Sequence, residues 1–180
     1  MRFKFLIGLI RNLRIKTFNK GDVLIEKYST EGDIFFIKKG LVRAYFYNEN
    51  ADEITFQIFA EKNFFGNVHS MMLDQPSKFT YEALEKTKAY SLPFDSFRKL
   101  MSENAAKLEL DKNFMFRSSF SQIFNRMESF VILSPEERYQ KYVKEHPNII
   151  NRVPDKYIAS VLGITPVSLS RIRGRIASKK

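Results

Sequence analysis

DKYIASVLGITPVSLSRIRGR, residues Asp155–Arg175, reads as two short helices joined by a tight turn. Leu162-Gly163-Ile164 forms the turn, and Gly163 suits a position where φ must be positive. Thr165-Pro166 opens the second helix, with a hydroxyl at the N-cap and a proline at the first helical position. Ile158, Leu162, Ile164, Leu169 and Ile172 supply apolar positions that press the helices together. Ala159 is small where they cross. This is a helix-turn-helix pattern. Its second helix carries Ser168, Arg171, Arg173 and Arg175 outward, with no acid from Gly163 to the end. An ordinary helical hairpin with a solvated basic tail is the plainer alternative.

Working outward, charge sits at the two ends. Residues 134–180 hold ten Lys or Arg against four acids, and residues 1–20 hold six against none, in a chain of net charge +10. The middle is slightly acidic. Basicity over the helix-turn-helix fits a polyanionic partner whose phosphates it would neutralise. Hydrophobic residues make up 44% of the 180, enough for a packed core in one medium domain and one small one. Cysteine is absent, which excludes disulfides and cysteine metal sites and fits a reducing, cytoplasmic setting. His69 and His146 are too few for a histidine metal cluster. No apolar run is long enough for stable membrane insertion. The start, MRFKFLIGLIRNLRIKTF, resembles a signal peptide only superficially. It reads as a short helix on the next domain, with a membrane-surface helix as the alternative.

From about Phe18 to Leu92 the pattern is β. Strands are expected at Val23–Ile25, Ile34–Ile37, Leu41–Tyr47, Ile54–Phe59, Tyr81–Leu84 and Lys88–Leu92, separated by Gly, Asn and Asp turns. Ile54, Phe56 and Ile58 alternate with Thr55 and Gln57. This spacing predicts an antiparallel sandwich or roll. Val68–Leu73 interrupts it as a short helix, either a packed connector or a cradle for a ligand anion. After Pro93, Phe94–Glu103 is expected to be helical. A long helix then runs from about Ala105 to Leu133. Phe116, Phe120, Ile123, Met127 and Phe130 recur along it at a/d-type spacing, with Phe124 and Val131 alongside. Such a stripe predicts a homodimer. Ser134-Pro135-Glu136-Glu137 starts a new helix with a capping box and marks a domain boundary. The expected fold is α+β in three parts: an antiparallel sandwich or roll over 1–104, a dimerisation helix over 105–133 and an all-α helix-turn-helix domain over 134–180.

Several stretches together resemble the Crp/Fnr family of bacterial transcription regulators. They are Phe18-Asn19-Lys20-Gly21-Asp22, Gly32-Asp33, Phe36-Ile37-Lys38-Lys39-Gly40-Leu41-Val42-Arg43 and Phe65-Gly66. Further on, Arg138-Tyr139, Pro147, Val153-Pro154, Ile158-Ala159, Leu162-Gly163-Ile164-Thr165 and Leu169-Ser170-Arg171-Ile172-Arg173 resemble the compact C-terminal domain of Bacteroidetes-type members. The resemblance implies that the first part is a β-roll sensor domain, and it implies a dimer on double-stranded DNA, with RNA polymerase as a further partner. It puts Val167, Ser168 and Arg171 at base-reading positions, with Arg171 able to bridge O6 and N7 of a guanine. Thr165, Arg173, Arg175, Lys179 and Lys180 are expected to contact the DNA backbone.

The resemblance also implies a candidate effector pocket of Phe65, Gly66, Asn67, Lys78, Phe79 and Thr80. Members that bind cyclic AMP carry Gly-Glu at its start and Arg-Ser or Arg-Thr at its end. Here Asn67 follows Gly66, and Phe79-Thr80 replaces the arginine pair. A phenylalanine cannot neutralise a phosphate, so cyclic AMP is not expected, and any small-molecule effector is of another kind. The iron–sulfur branch is excluded by the lack of cysteine, and only His69 offers itself as a haem ligand. No cofactor is expected. The chain shows no nucleophile–base pair, phosphate loop or metal cluster, and is not expected to be an enzyme. The rival is a small-molecule-sensing or interaction module whose basic C-terminus meets RNA or a membrane surface.

Overall fold

Alternating residues build two antiparallel sheets, between which the first core lies. A computed structural model describes residues 2–30, 32–104 and 112–178. Helix α1 (Arg2–Asn12) precedes strands β1 (Arg14–Phe18), β2 (Val23–Ile25), β3 (Asp33–Lys39), β4 (Val42–Tyr47), β5 (Glu53–Phe59) and β6 (Phe64–Phe65). After helix α2 (Val68–Leu73) come β7 (Thr80–Ala83) and β8 (Thr87–Pro93). Helices α3 (Phe94–Asn104), α4 (Lys112–Ile132), α5 (Pro135–Glu145), α6 (Pro147–Ile150), α7 (Asp155–Val161) and α8 (Pro166–Ser178) complete the order. One sheet runs β1-β8-β3-β6 and the other β2-β7-β4-β5. Phe35, Ile37, Phe65 and Ala89 from the first meet Ile25, Val42, Ala44 and Tyr81 from the second. The architecture is an α+β β-roll with a helical C-terminal half.

The roll depends on Gly40. Its φ is 111°, and an added Cβ would stand 2.6 Å from the Cα of Thr87. Only glycine allows the chain to turn so tightly from β3 into β4. The Thr87 hydroxyl then bonds both the N–H and the carbonyl of Leu41.

The structure departs from the sequence pattern at three places. The basic N-terminal stretch forms the expected short helix on the roll domain, α1, which packs against α3 and β8 but stops at Asn12, whose side chain bonds the Gly8 carbonyl at 2.7 Å. The β-branched Ile15 and Thr17 then favour strand β1, which pairs with β8 from Arg14↔Ser91 to Phe18↔Thr87. Next, Ile54, Phe56 and Ile58 do not share a face. Tyr45 pairs with Thr55 but Ala44 pairs with Gln57, so Phe56 is a bulge residue. The bulge reverses the alternation and turns Ile58 to the outside of the roll. Finally, Pro147 opens the single-turn helix α6, an element the sequence pattern did not mark. The expected start of the long helix near Ala105 lies outside the described residues.

A second core forms on the outside of the β2-β7-β4-β5 sheet. Leu41 and Ile58 join Tyr139, Ile149, Val153, Ile158, Ala159, Val161, Leu162, Leu169 and Ile172 in one buried cluster. The helix-turn-helix is therefore packed onto the roll. None of the described helices is long and apolar enough to cross a membrane.

Candidate functional site

The helix-turn-helix forms as its local chemistry dictates. Gly163 has φ 67°, and the Ile164 N–H reaches the Ala159 carbonyl at 3.0 Å. A Cβ on Gly163 would meet the Phe130 ring at 2.6 Å. Arg138 Nε donates to the Leu162 carbonyl and Arg126 Nη2 to that of Val161, both at 3.3 Å. Two cations thus satisfy the carbonyl end of α7. At the start of α8, Thr165 Oγ1 accepts the Ser168 N–H at 3.1 Å. Leu169 and Ile172 are buried against Ile158, Ala159 and Leu162.

The opposite face of α8 is open. Val167 is 60% exposed, and Ser170 and Arg171 are exposed beside it. Arg171 forms no ion pair with any described residue. Ser168 is half-buried, its hydroxyl 3.0 Å from that of Thr165. Arg173 and Arg175 are engaged within the chain. Arg173 Nη1 donates to both oxygens of Asp155 at 2.6 and 2.8 Å, and Nε to the Tyr139 hydroxyl at 3.1 Å. Arg175 pairs with Glu136 at 3.1 Å. Val167, Ser170 and Arg171 thus make up an exposed face of α8. Ser170 shares this face through its three-residue spacing from Val167. Lys179 and Lys180 lie outside the described residues.

On α4, Ile123, Phe124, Met127, Val131 and Ile132 are between 44% and 86% exposed. Phe130 is 41% exposed and spends part of its ring on Gly163 and on the guanidinium of Arg138, 4.9 Å away. The side chains of Phe116 and Phe120 lie outside the described residues.

The residues of the expected effector pocket come together, but as packing. Phe65 is 6% exposed and stacks on Phe35 at 5.0 Å. Gly66 is buried, and a Cβ there would stand 3.1 Å from both the Asp33 carbonyl oxygen and Met71 Cε. Asn67 is fully buried: its amide donates to the Ser29 carbonyl at 2.8 Å, and its oxygen caps α2 by accepting the Ser70 N–H. Phe79 stacks on Phe56 at 4.6 Å, meets Phe46 edge-on at 5.9 Å and lies tilted against the His69 ring at 5.5 Å. Lys78 is exposed and Thr80 half-buried. The Asn67 side chain is thus taken up by the protein's own backbone, Lys78 is the one cation of the set and is exposed, and Phe79 lies in an aromatic cluster. Burial holds the His69 imidazole below its usual pKa, helped by Lys78. No group of three or more metal-ligating side chains occurs among the described residues.

A polar joint between roll and helix-turn-helix had no signal in the sequence. Arg43 alternates with inward Val42 and Ala44, so it points out of the roll, yet it is only 3% exposed. Helix α7 covers it. Its guanidinium takes Glu53 at 2.6 and 3.0 Å and Glu82 at 2.6 and 2.8 Å. It lies between the rings of Tyr45 and Tyr157, each 4.1 Å away. Burial opposes its charge, but the hydrogen bonds of the two glutamates outweigh it and keep Arg43 protonated. Beside it, the Ser160 hydroxyl bonds the Thr55 N–H and carbonyl at 2.8 and 3.1 Å, closing the free edge of β5. Arg126 Nη1 donates to the Phe56 carbonyl at the bulge.

Arg152, before α7, pairs with Glu61 at 2.8 Å and with Glu85. The Arg152 hydrogen bonds hold the Glu61 carboxyl down to about 2, against the pull of burial and with help from the Gly40 N–H. A carboxyl depressed when folded contributes stability that is full above its unfolded pKa of about 4.3 and is lost as pH falls toward 2. Urea midpoints should therefore drop between pH 5 and pH 3, and drop less in Glu61→Gln. Equal drops in both proteins would remove Glu61 from the account.

Residues 15–104 match the cyclic nucleotide-binding domain family. No curated protein sequence matches the chain. Among solved structures, the c-di-GMP-responsive global regulator CLP of Xanthomonas campestris superposes with a TM-score of 0.73 at 8% identity, covering 98% of this chain and 92% of that one. FixK2 of Bradyrhizobium japonicum gives 0.73 at 16%, covering 93% and 85%. A protein assigned to the Crp/Fnr family of transcriptional regulators, from Eubacterium rectale, gives 0.72 at 18%, covering 99% and 85%. The chain thus shares its overall fold with these proteins, and it belongs to the cyclic nucleotide-binding domain family.

Proposed function

We propose that the protein is a dimeric transcription regulator that reads duplex DNA with α8 and does so without cyclic AMP. The observation that carries the reading is the two-sided character of α8. Leu169 and Ile172 are buried, while Val167, Ser170 and Arg171 face solvent on a helix without acids. Such a helix, held by its apolar face, can enter a major groove. The exposed apolar residues of α4 support a second copy of the chain as its partner. Two copies related by a two-fold would address half-sites about one helical turn apart. The aromatic filling of the roll supports independence from cyclic nucleotides. RNA polymerase and a non-nucleotide effector belong to the proposal on the resemblance alone.

Selection from randomised duplexes at fixed salt tests this reading. Enrichment of a two-fold symmetric sequence, unchanged by added cyclic AMP, is the expected result. Sedimentation should show about twice the 21.2 kDa chain mass. Failure to enrich any duplex would transfer the basic surface to RNA or lipid.

A further inference from the structure

Four contacts tie the roll to the helix-turn-helix, and none of them touches the open face of α8. Tyr157 stacks on Arg43. Ser160 closes the edge of β5 at Thr55. Arg126 of α4 joins the Phe56 carbonyl of β5 to the Val161 carbonyl of α7. Arg152 is clamped between Glu61 and Glu85. The joint therefore fixes α7, and with it α8, against both the roll and the helix that carries the exposed apolar stripe. The reading face stays free, so the joint presents the face and does not hide it.

We propose that Arg43 and Tyr157 are positioning residues for DNA recognition. They set the direction of each recognition helix relative to the two-fold of the dimer. The inference rests on the DNA-reading function proposed above. Its physical content is an effective concentration. Once one subunit is bound, the second half-site lies within reach only if the second α8 already points at it. Loosening the joint should spare contacts within one half-site and penalise simultaneous use of both. Arg43 is too deeply charged a site for the first variant, because its loss leaves Glu53 and Glu82 facing each other. Tyr157→Leu removes the stacked ring and keeps an apolar side chain. Tyr157→Phe keeps the ring.

The Thr55 amide reports on the joint independently of DNA, since its N–H is bonded by Ser160. Hydrogen exchange at Thr55 should quicken in Tyr157→Leu and in Ser160→Ala, and stay near wild type in Tyr157→Phe. On the selected duplex, Tyr157→Leu and Ser160→Ala should lose about tenfold or more in affinity. On a duplex carrying one half-site they should match wild type, and Tyr157→Phe should match it on both. Equal losses on one and two half-sites would overturn the proposal, because the reading face itself would then be damaged. A gain on the full site would also overturn it, by making the joint a restraint on binding. So would unchanged full-site affinity alongside faster Thr55 exchange. Wild-type protein that enriches no duplex would instead remove the DNA-reading function beneath it, and the proposal with it.

Discussion

Arg43→Ala should destabilise the protein by about 3–5 kcal/mol, the cost of removing one partner from a buried ion pair. The guanidinium is 3% exposed and carries bonds to two carboxylates and to Thr55 Oγ1 at 3.3 Å. Alanine would leave Glu53 and Glu82 charged, adjacent and under a helix. Their side chains keep 28% and 21% exposure, so water relieves part of the penalty and places the effect toward the lower end of that range. Arg43→Lys should not restore stability. An ammonium can neither fork to two carboxylates nor lie flat between the rings of Tyr45 and Tyr157. Neutralising the acids with Glu53→Gln and Glu82→Gln in the alanine background should recover part of the loss. Urea unfolding of the set measures all of this. A loss below about 1 kcal/mol for Arg43→Ala would make the cluster a surface ornament with a median ion-pair value.

Arg43 also shows where reading a sequence stops. Its place in the run Gly40-Leu41-Val42-Arg43 was legible, and strand alternation already turned it out of the roll. What covers the outside of that sheet was not legible. Tyr157 and Ser160 lie more than 100 positions from Arg43 and Thr55 in the chain, and no periodicity links them. The Phe56 bulge hid the joint further, since strict alternation placed Ile58 inside. By contrast the helix-turn-helix was legible almost throughout, because Gly163, Thr165 and Pro166 act on backbone within a few residues of themselves. That Phe79-Thr80 stands where the resemblance would have an arginine pair was legible for the same reason, being a local fact. The pairings of Arg173 and Arg175 were not, their partners being 18 to 39 positions away.

Those pairings decide what each arginine of α8 should do. Arg171→Ala should weaken binding to the selected duplex by about 1–3 kcal/mol, or roughly 5- to 150-fold, and relax preference at one base pair. Its guanidinium is exposed and forms no ion pair with any described residue, so it can approach a guanine without first leaving a carboxylate. Arg175 must give up Glu136 to reach a phosphate, and Arg175→Ala should lower affinity for all duplexes slightly and alike. Arg173 is different again. Its bonds to Asp155 and the Tyr139 hydroxyl join α8 to α7 and α5, so Arg173→Ala should lower the urea midpoint and leave sequence preference intact. Fluorescence anisotropy on the selected site, on its single-base-pair variants and on random duplex separates the three. A reader loses discrimination, a phosphate contact loses affinity evenly, and a clamp loses stability. Should Arg171→Ala lose equally on selected and random DNA, the guanidinium would be a phosphate contact, and the reading of bases would fall to Val167 and Ser170.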